Sequence, residues 1–325
     1  MSELSIAVPA ALDALAAPRN QVATNLLRSL AMSLRATLIT LLLTLPLAST
    51  AQDFSKVEVK SSPLRGGTHL LTGAGGNIVA SIGDDGTFIV DDQYAPLSPR
   101  IRAALKEAGG GEVRFVINTH WHGDHTGGNE SFGKAGAVIM AHDNVRKRMG
   151  SDQFMAMMNR TVEASPAAAL PVVTFAEGVT LHLNGDTVHV SHVADAHTDG
   201  DALVKFVKAD VLHMGDTFFN GGYPFIDAGS GGSIGGAIAA VDAGLAMAGA
   251  DTIVVPGHGA RTDHAGLAAY GAMLKGYRDR IAALKAEGKS LQEVVAARPT
   301  AATDAELGQG FIKPDQFVRF VYETL

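Results

Sequence analysis

The sequence predicts an α/β fold in which two similar layers pack together, and three observations point there. β-like runs followed by helical patterns occur twice along the chain. The 325 residues, 46% of them hydrophobic, supply ample material for a core. After Gln52 no linker-like stretch interrupts the pattern, so residues 52–325 read as one catalytic-size domain.

The first 51 residues read as an address. Ala36–Ala48 is an apolar run, preceded by Arg28 and Arg35 and followed by the small-residue segment Ser49-Thr50-Ala51. A positive flank, a short apolar stretch and a small-x-small site make a secretory signal peptide, with cleavage expected after Ala51. The run is well short of the roughly 20 residues a bilayer core requires, so no membrane anchor is expected after cleavage. The stretch before Met32 is long for a signal n-region, and Met32 is an alternative start. The expected destination is the periplasm or the exterior.

From there the elements follow in order. Val57–Lys60, Thr68–Thr72, Asn77–Ile82 and Thr87–Val90 read as short strands parted by glycine turns. Pro99–Ala108 reads as a helix stopped by Gly109-Gly110-Gly111. Val113–Ile117 and Ala137–Met140 are apolar strands, and Asp143–Met149 is a basic helix. Ser151–Leu170, with Phe154, Met155, Met157 and Met158, is expected to be a helical cover on the core. A second set of strands covers Val172–Phe175, Val179–Leu183, Thr187–His192, Leu203–Lys208 and Val211–Met214. The small-residue helix Ser233–Ala248 leads to a buried strand, Thr252–Val255. Leu267, Tyr270, Leu274, Tyr277, Ile281 and Leu284 then recur at helical spacing. Ser290 and Glu293 form a capping box, and Asp315–Glu323 should be a terminal helix.

Composition narrows the chemistry. Cysteine is absent, which excludes disulfides, thiolate metal sites and cysteine nucleophiles. The net charge of −7 supplies no basic excess for a phosphate surface, so no nucleic-acid partner is expected and a small-molecule substrate is. Twelve histidines direct attention to a bound ion.

They concentrate where strands end. Thr119-His120-Trp121-His122-Gly123-Asp124-His125 follows directly from Val113–Ile117, and strand carboxyl ends are where ligand sites fall in such sheets. His120 and His122, two apart in an extended segment, point the same way. Gly123 lets the chain bend so that Asp124 and His125 face a second point. His197, Asp216 and His258 each lie just past a strand with glycine close by. Imidazole nitrogens with few carboxylates suit zinc better than magnesium or calcium.

At this point the chain resembles the metallo-β-lactamase superfamily. The His-x-His-x-Asp-His motif matches at His120, His122, Asp124 and His125, and the later His, Asp and His match His197, Asp216 and His258 in order. The resemblance implies an αββα sandwich with two zinc ions per chain. By that likeness His120, His122 and His197 hold the first ion, Asp124, His125 and His258 the second, and Asp216 bridges them. A water shared by two zinc ions loses its proton near neutral pH, and Asp124 orients it as the catalytic carboxylate. Asp91 and Asp201 are the carboxylates expected to fix imidazole tautomers.

Departures from the pattern narrow the field. Lactamases with a cysteine at the bridging position are excluded, and those with three histidines in the first motif lack a bridging Asp. Glyoxalase II-like enzymes and lactonases use the full set. In the former the last His runs into Glu-Tyr-Thr, where this chain has Gly259-Ala260-Arg261; the latter place Tyr where Phe219 stands. The expected reaction is hydrolysis of an ester, thioester, lactone or amide, β-lactams included. Phe218, Phe219, Tyr223 and Phe225 are expected to wall the substrate pocket, with Asn220 or Tyr223 donating to the carbonyl oxygen. Two alternatives stay open: a mononuclear iron dioxygenase acting on persulfides, which shares the first motif, and a metal-containing binding or relay protein without hydrolase activity.

Overall fold

The computed structural model describes residues 53–325; the expected signal peptide, residues 1–51, lies outside the described residues. A seven-stranded sheet is built from β1 (Lys60–Pro63), β2 (Thr68–Thr72), β3 (Ile78–Gly83), β4 (Gly86–Val90), β5 (Val113–Ile117) and β6 (Val138–His142). A short hairpin of β7 (Gln153–Met155) and β8 (Arg160–Val162) intervenes before β9 (Val173–Phe175) completes that sheet at its edge. A five-stranded sheet follows: β10 (Gly178–Leu183), β11 (Asp186–His192), β12 (Ala202–Phe206), β13 (Val211–His213) and β14 (Ile253–Val255). Each sheet opens as an antiparallel meander and turns parallel where helices cross over, at β4–β5, β5–β6 and β6–β9 in one and at β13–β14 in the other.

Three apolar layers hold the sandwich. Val79, Val90, Ile117 and Met140 of the first sheet meet Val188, Val190, Val204 and Val255 of the second. Ile78, Ile89 and Val116 point the other way, onto Ile101 and Leu105 of the helix Ser98–Glu107 and onto Phe132. Leu203, Leu212 and Val254 turn outward onto the helices Ile234–Met247, His264–Ala286 and Pro314–Glu323. The alternation of strand side chains therefore gives each sheet two buried faces, one toward its partner and one toward helices. The result is the expected αββα sandwich. Among the described residues no helix is long and apolar enough to cross a membrane.

Two element expectations need correction. Val57 and Val59 do not form a strand; they pack with Phe54 against the helix layer, and the edge strand starts at Lys60. Ser151–Leu170 is not helical. The chain reverses at Asn159, whose φ of 45° is left-handed, and β7 pairs antiparallel with β8. Asp152 Oδ1 closes the base by accepting from Ala164 N at 2.9 Å, and the only helical pieces are the single 3-10 turns Ala156–Met158 and Ala167–Ala169. The methionines that suggested a cover lie on a hairpin with Phe154 exposed rather than on a packed helix.

Candidate metal centre

Every candidate ligand lies past the carboxyl end of a strand. The chain is still extended at His122 (ψ 147°), then turns into the one-turn helix Gly123–Thr126. This directs His120 and His122 to one side and Asp124 and His125 to the other. His197 comes from the loop after β11, Asp216 from the turn after β13, and His258 from the turn after β14.

The side chains converge in two groups, His120, His122, His197 and Asp216 in one and Asp124, His125 and His258 in the other. Within the first, His197 Nε2 lies 2.9 Å from His122 Nδ1. Within the second, His125 Nε2 lies 3.3 Å from His258 Nε2, and His258 Nε2 lies 3.2 Å from Asp124 Oδ2. Asp216 reaches both: its carboxylate is 3.6 Å from His197 Nε2, 3.0 Å from His125 Nε2 and 3.4 Å from His258 Nε2.

Hydrogen bonds behind the rings decide which nitrogen faces inward. His122 Nε2 donates to Asp227 Oδ2 at 3.0 Å, His197 Nδ1 to the Phe225 carbonyl at 2.7 Å, and His125 Nδ1 to Asp91 Oδ2 at 2.8 Å. The Thr119 hydroxyl gives its only proton to Asp91 Oδ2 at 2.8 Å, so at 3.0 Å it can only accept from His120 Nδ1. Each of these four imidazoles thus uses one nitrogen as a donor to the protein and turns the other to the centre. Ring nitrogens facing each other at such distances need a proton or a metal cation between them. His120 Nε2 and Asp216 Oδ1 are buried without a hydrogen-bond partner, the condition a metal ligand is in before its ion binds. The donor set fits a pair of divalent cations preferring nitrogen and oxygen.

Electrostatics agree with this division. Burial, reinforced by neighbouring imidazoles, holds His120 well below its ordinary pKa and takes His197 down to about 4. Burial also opposes charge on His125 and His258, but Asp216 and Asp124 outweigh it, so His125 is held well above its usual range and His258 is raised to about 9. Against burial, His125 and His258 hold Asp216 well below the carboxylate range and Asp124 at about 2.

Asp91 supports two ligands at once, His125 directly and His120 through Thr119. Asp201 acts differently from expectation: it accepts from the backbone N–H groups of His197 and Thr198, at 2.6 and 2.7 Å, and fixes the loop rather than an imidazole. Asp227 was not foreseen. It holds His122 from 105 residues further along the chain, with Ser230 Oγ donating to it at 2.6 Å, and no local motif marks it.

The aromatic segment divides. Phe219 stacks on His258 with centroids 5.2 Å apart, and Phe225 stacks on His122 at 5.6 Å, so both border the centre. Phe218 turns away and packs on Tyr270 in the helix layer. Tyr223 is also core: it stacks on Phe317, and its hydroxyl meets Thr303 Oγ1 at 2.8 Å and Asp304 Oδ1 at 2.9 Å. That bonding leaves it nothing to offer a substrate. Asn220 likewise clamps the His258 loop, donating from Nδ2 to Ala260 O at 2.7 Å. Two glycines make the crowding possible. A Cβ on Gly257 would fall 2.0 Å from Asp216 Oδ1, and one on Gly76 2.1 Å from His125 Cε1.

Comparisons with known proteins agree with this geometry. Hydroxyacylglutathione hydrolase of Nitrosococcus oceani is 30% identical over 165 residues, 50% of this chain and 55% of that protein. The chain thus spans about half the length of the curated relatives it matches. Among solved structures, a metallo-beta-lactamase from Pontibacter korlensis superposes with a TM-score of 0.54 at 17% identity, covering 67% of this chain and 99% of that one. The stereoselective inverting sec-alkylsulfatase from Pseudomonas sp. superposes with a TM-score of 0.61 at 16% identity, covering 82% of this chain and 50% of that one. The family profile described as the metallo-beta-lactamase superfamily matches residues 71–269, more than half of the sequence, and the chain belongs to that superfamily of metallo-hydrolases.

Proposed function

We propose that this chain is an exported, zinc-dependent hydrolase of small acyl substrates, with esters and thioesters foremost. The observation that carries the reading is the pair of ligand groups joined by Asp216. A mononuclear dioxygenase needs only the first group; the second, with Asp124, His125 and His258 aimed at one point, favours a two-ion centre. The likeness to the hydroxyacylglutathione hydrolase of Nitrosococcus oceani favours thioester chemistry.

Two zinc ions held there would supply Lewis acidity and bring a water's pKa into the neutral range. The protein's own groups do the rest. Asp124 stays ionised, and the carboxylate oxygen not engaged with His258 can accept a hydrogen bond from the nucleophile and keep it aimed. Phe219 and Phe225 present apolar faces beside His258 and His122, walls against which an acyl group can pack while water is excluded. Export rests on the N-terminal pattern of residues 1–51.

The test is Asp216→Ser. Losing the shared carboxylate should lower zinc content and reduce kcat/KM on an ester by at least about tenfold, roughly 1.4 kcal/mol of transition-state stabilisation. Hydrolysis of a β-lactam, where detectable, should fall less. Unchanged zinc content with unchanged ester hydrolysis would contradict the proposal.

A further inference from the structure

The chain leaves β4 through Asp91-Asp92-Gln93-Tyr94, and two of these four residues take a left-handed backbone although neither is glycine: φ is 64° at Asp91 and 56° at Gln93. The conformation is pinned on several sides. Asp91 N donates to Ile117 O and Asp92 N to His125 O, both at 2.9 Å, and Gly128 N donates to Asp92 Oδ1 at 2.8 Å. Gln93 Nε2 donates to Gly76 O at 2.7 Å. Backbone strain of this kind gathers at functional sites. At Asp91 the reason is plain, since its carboxylate serves Thr119 and His125. Gln93 serves no ligand; its turn determines where Tyr94 goes.

Tyr94 is half-buried beside the centre. A Cβ on Gly75 would lie 3.3 Å from Tyr94 Cε2 and 3.1 Å from Asp124 Cβ, so the phenol ring and Asp124 flank the same glycine. The ring is braced by Phe54, with centroids 5.0 Å apart. Its hydroxyl makes no hydrogen bond among the described residues. A phenol hydroxyl is a neutral proton donor at neutral pH.

We propose that Tyr94 is a catalytic residue whose hydroxyl donates to the acyl oxygen of an ester or thioester bound at the second ligand group, beside Asp124. In acyl transfer negative charge develops on that oxygen, and a fixed neutral donor there favours the transition state over the ground state. The inference rests on the hydrolase reading above and supplies the donor that Tyr223 does not.

The experiment compares the zinc-loaded wild type with Tyr94→Phe on a matched oxygen ester and thioester of one acyl group. Zinc content and thermal midpoint are measured on both proteins. Phenylalanine keeps the ring against Phe54 and Gly75 and removes only the hydroxyl. The expected result is a fall in kcat of about 30-fold or more on both substrates, with KM changed little, zinc content intact and the midpoint unmoved. Turnover of neither substrate by the wild type overturns the hydrolase reading and this assignment with it. Turnover that Tyr94→Phe leaves unchanged overturns the assignment alone. A loss confined to the oxygen ester places the contact on the leaving group and overturns the acyl-oxygen assignment, and a loss accompanied by zinc release makes Tyr94 structural.

Discussion

Asp227 Oδ2 lies 3.0 Å from His122 Nε2, and the opposite nitrogen of the same ring, Nδ1, lies 2.9 Å from His197 Nε2. His122 therefore meets the centre through Nδ1, whereas His120, His125 and His197 meet it through Nε2. The aspartate is fixed in turn by Ser230 Oγ, which receives the Trp121 indole N–H at 3.2 Å. Replacing Asp227 by Ala should free the ring to rotate and lose its orienting acceptor. Zinc affinity at the first group should weaken by about 10–100-fold. Competition with a chromophoric chelator measures this, and an affinity equal to wild type would show that the ring is held by other contacts.

Asp91 should matter to stability as well as to the centre. Its buried carboxylate accepts from Thr119 N, Thr119 Oγ1 and His125 Nδ1, all at 2.8 Å. Asp91→Ala strands three buried donors and should cost about 2 kcal/mol or more. Urea unfolding of the metal-free proteins reads that loss apart from any change in zinc binding. A midpoint within error of wild type would refute it.

Proton release provides an independent check. At pH 7 Asp216 and Asp124 are ionised, while His125, held well above its usual range, and His258, at about 9, carry protons. Zinc must displace both protons, so binding should release about two per chain at the second group. Because both histidine pKa values are raised, apparent affinity should increase as pH rises from 6 toward 9 and flatten above it. Calorimetry in buffers of different ionisation enthalpy counts the protons. Binding without release would mean that these imidazoles are neutral or are not ligands.

Crowding predicts a steric effect far larger than its single methyl suggests. In Gly257→Ala the new Cβ would meet Asp216 Oδ1 at 2.0 Å and Gly215 O at 2.7 Å. The carboxylate must move, and with it the link between the two groups. Zinc content should fall toward one equivalent per chain although no ligand has been replaced, and elemental analysis would expose a full complement if the loop yields instead.

Much of this centre is legible in the sequence because its ligands follow strands whose apolar runs are themselves legible. Val113–Ile117 leads into His120–His125, and Thr252–Val255 leads into His258. What escapes is whatever depends on contacts distant along the chain. Asp227 reaches back 105 residues to His122 from a loop with no motif. Tyr223 looked like a pocket donor, but its direction is set by Phe317, Thr303 and Asp304 near the C-terminus. The β7–β8 hairpin escaped because Phe154, Met155, Met157 and Met158 satisfy a helical spacing, whereas the left-handed turn at Asn159 fixes the pairing.

The N-terminal expectation has its own simple test. Sequencing the mature protein recovered from a periplasmic fraction should begin at Gln52 or within a few residues of it. A stable product retaining Met1 would contradict export.

The central claim is that seven side chains hold two cations on which hydrolysis depends. Its most direct test titrates metal-free protein with zinc while bound metal and hydrolysis of one ester are followed together. Bound zinc should saturate at about two equivalents per chain, with turnover appearing as the centre fills and vanishing on chelation. Saturation at one equivalent, or ester hydrolysis indifferent to metal, would contradict the account.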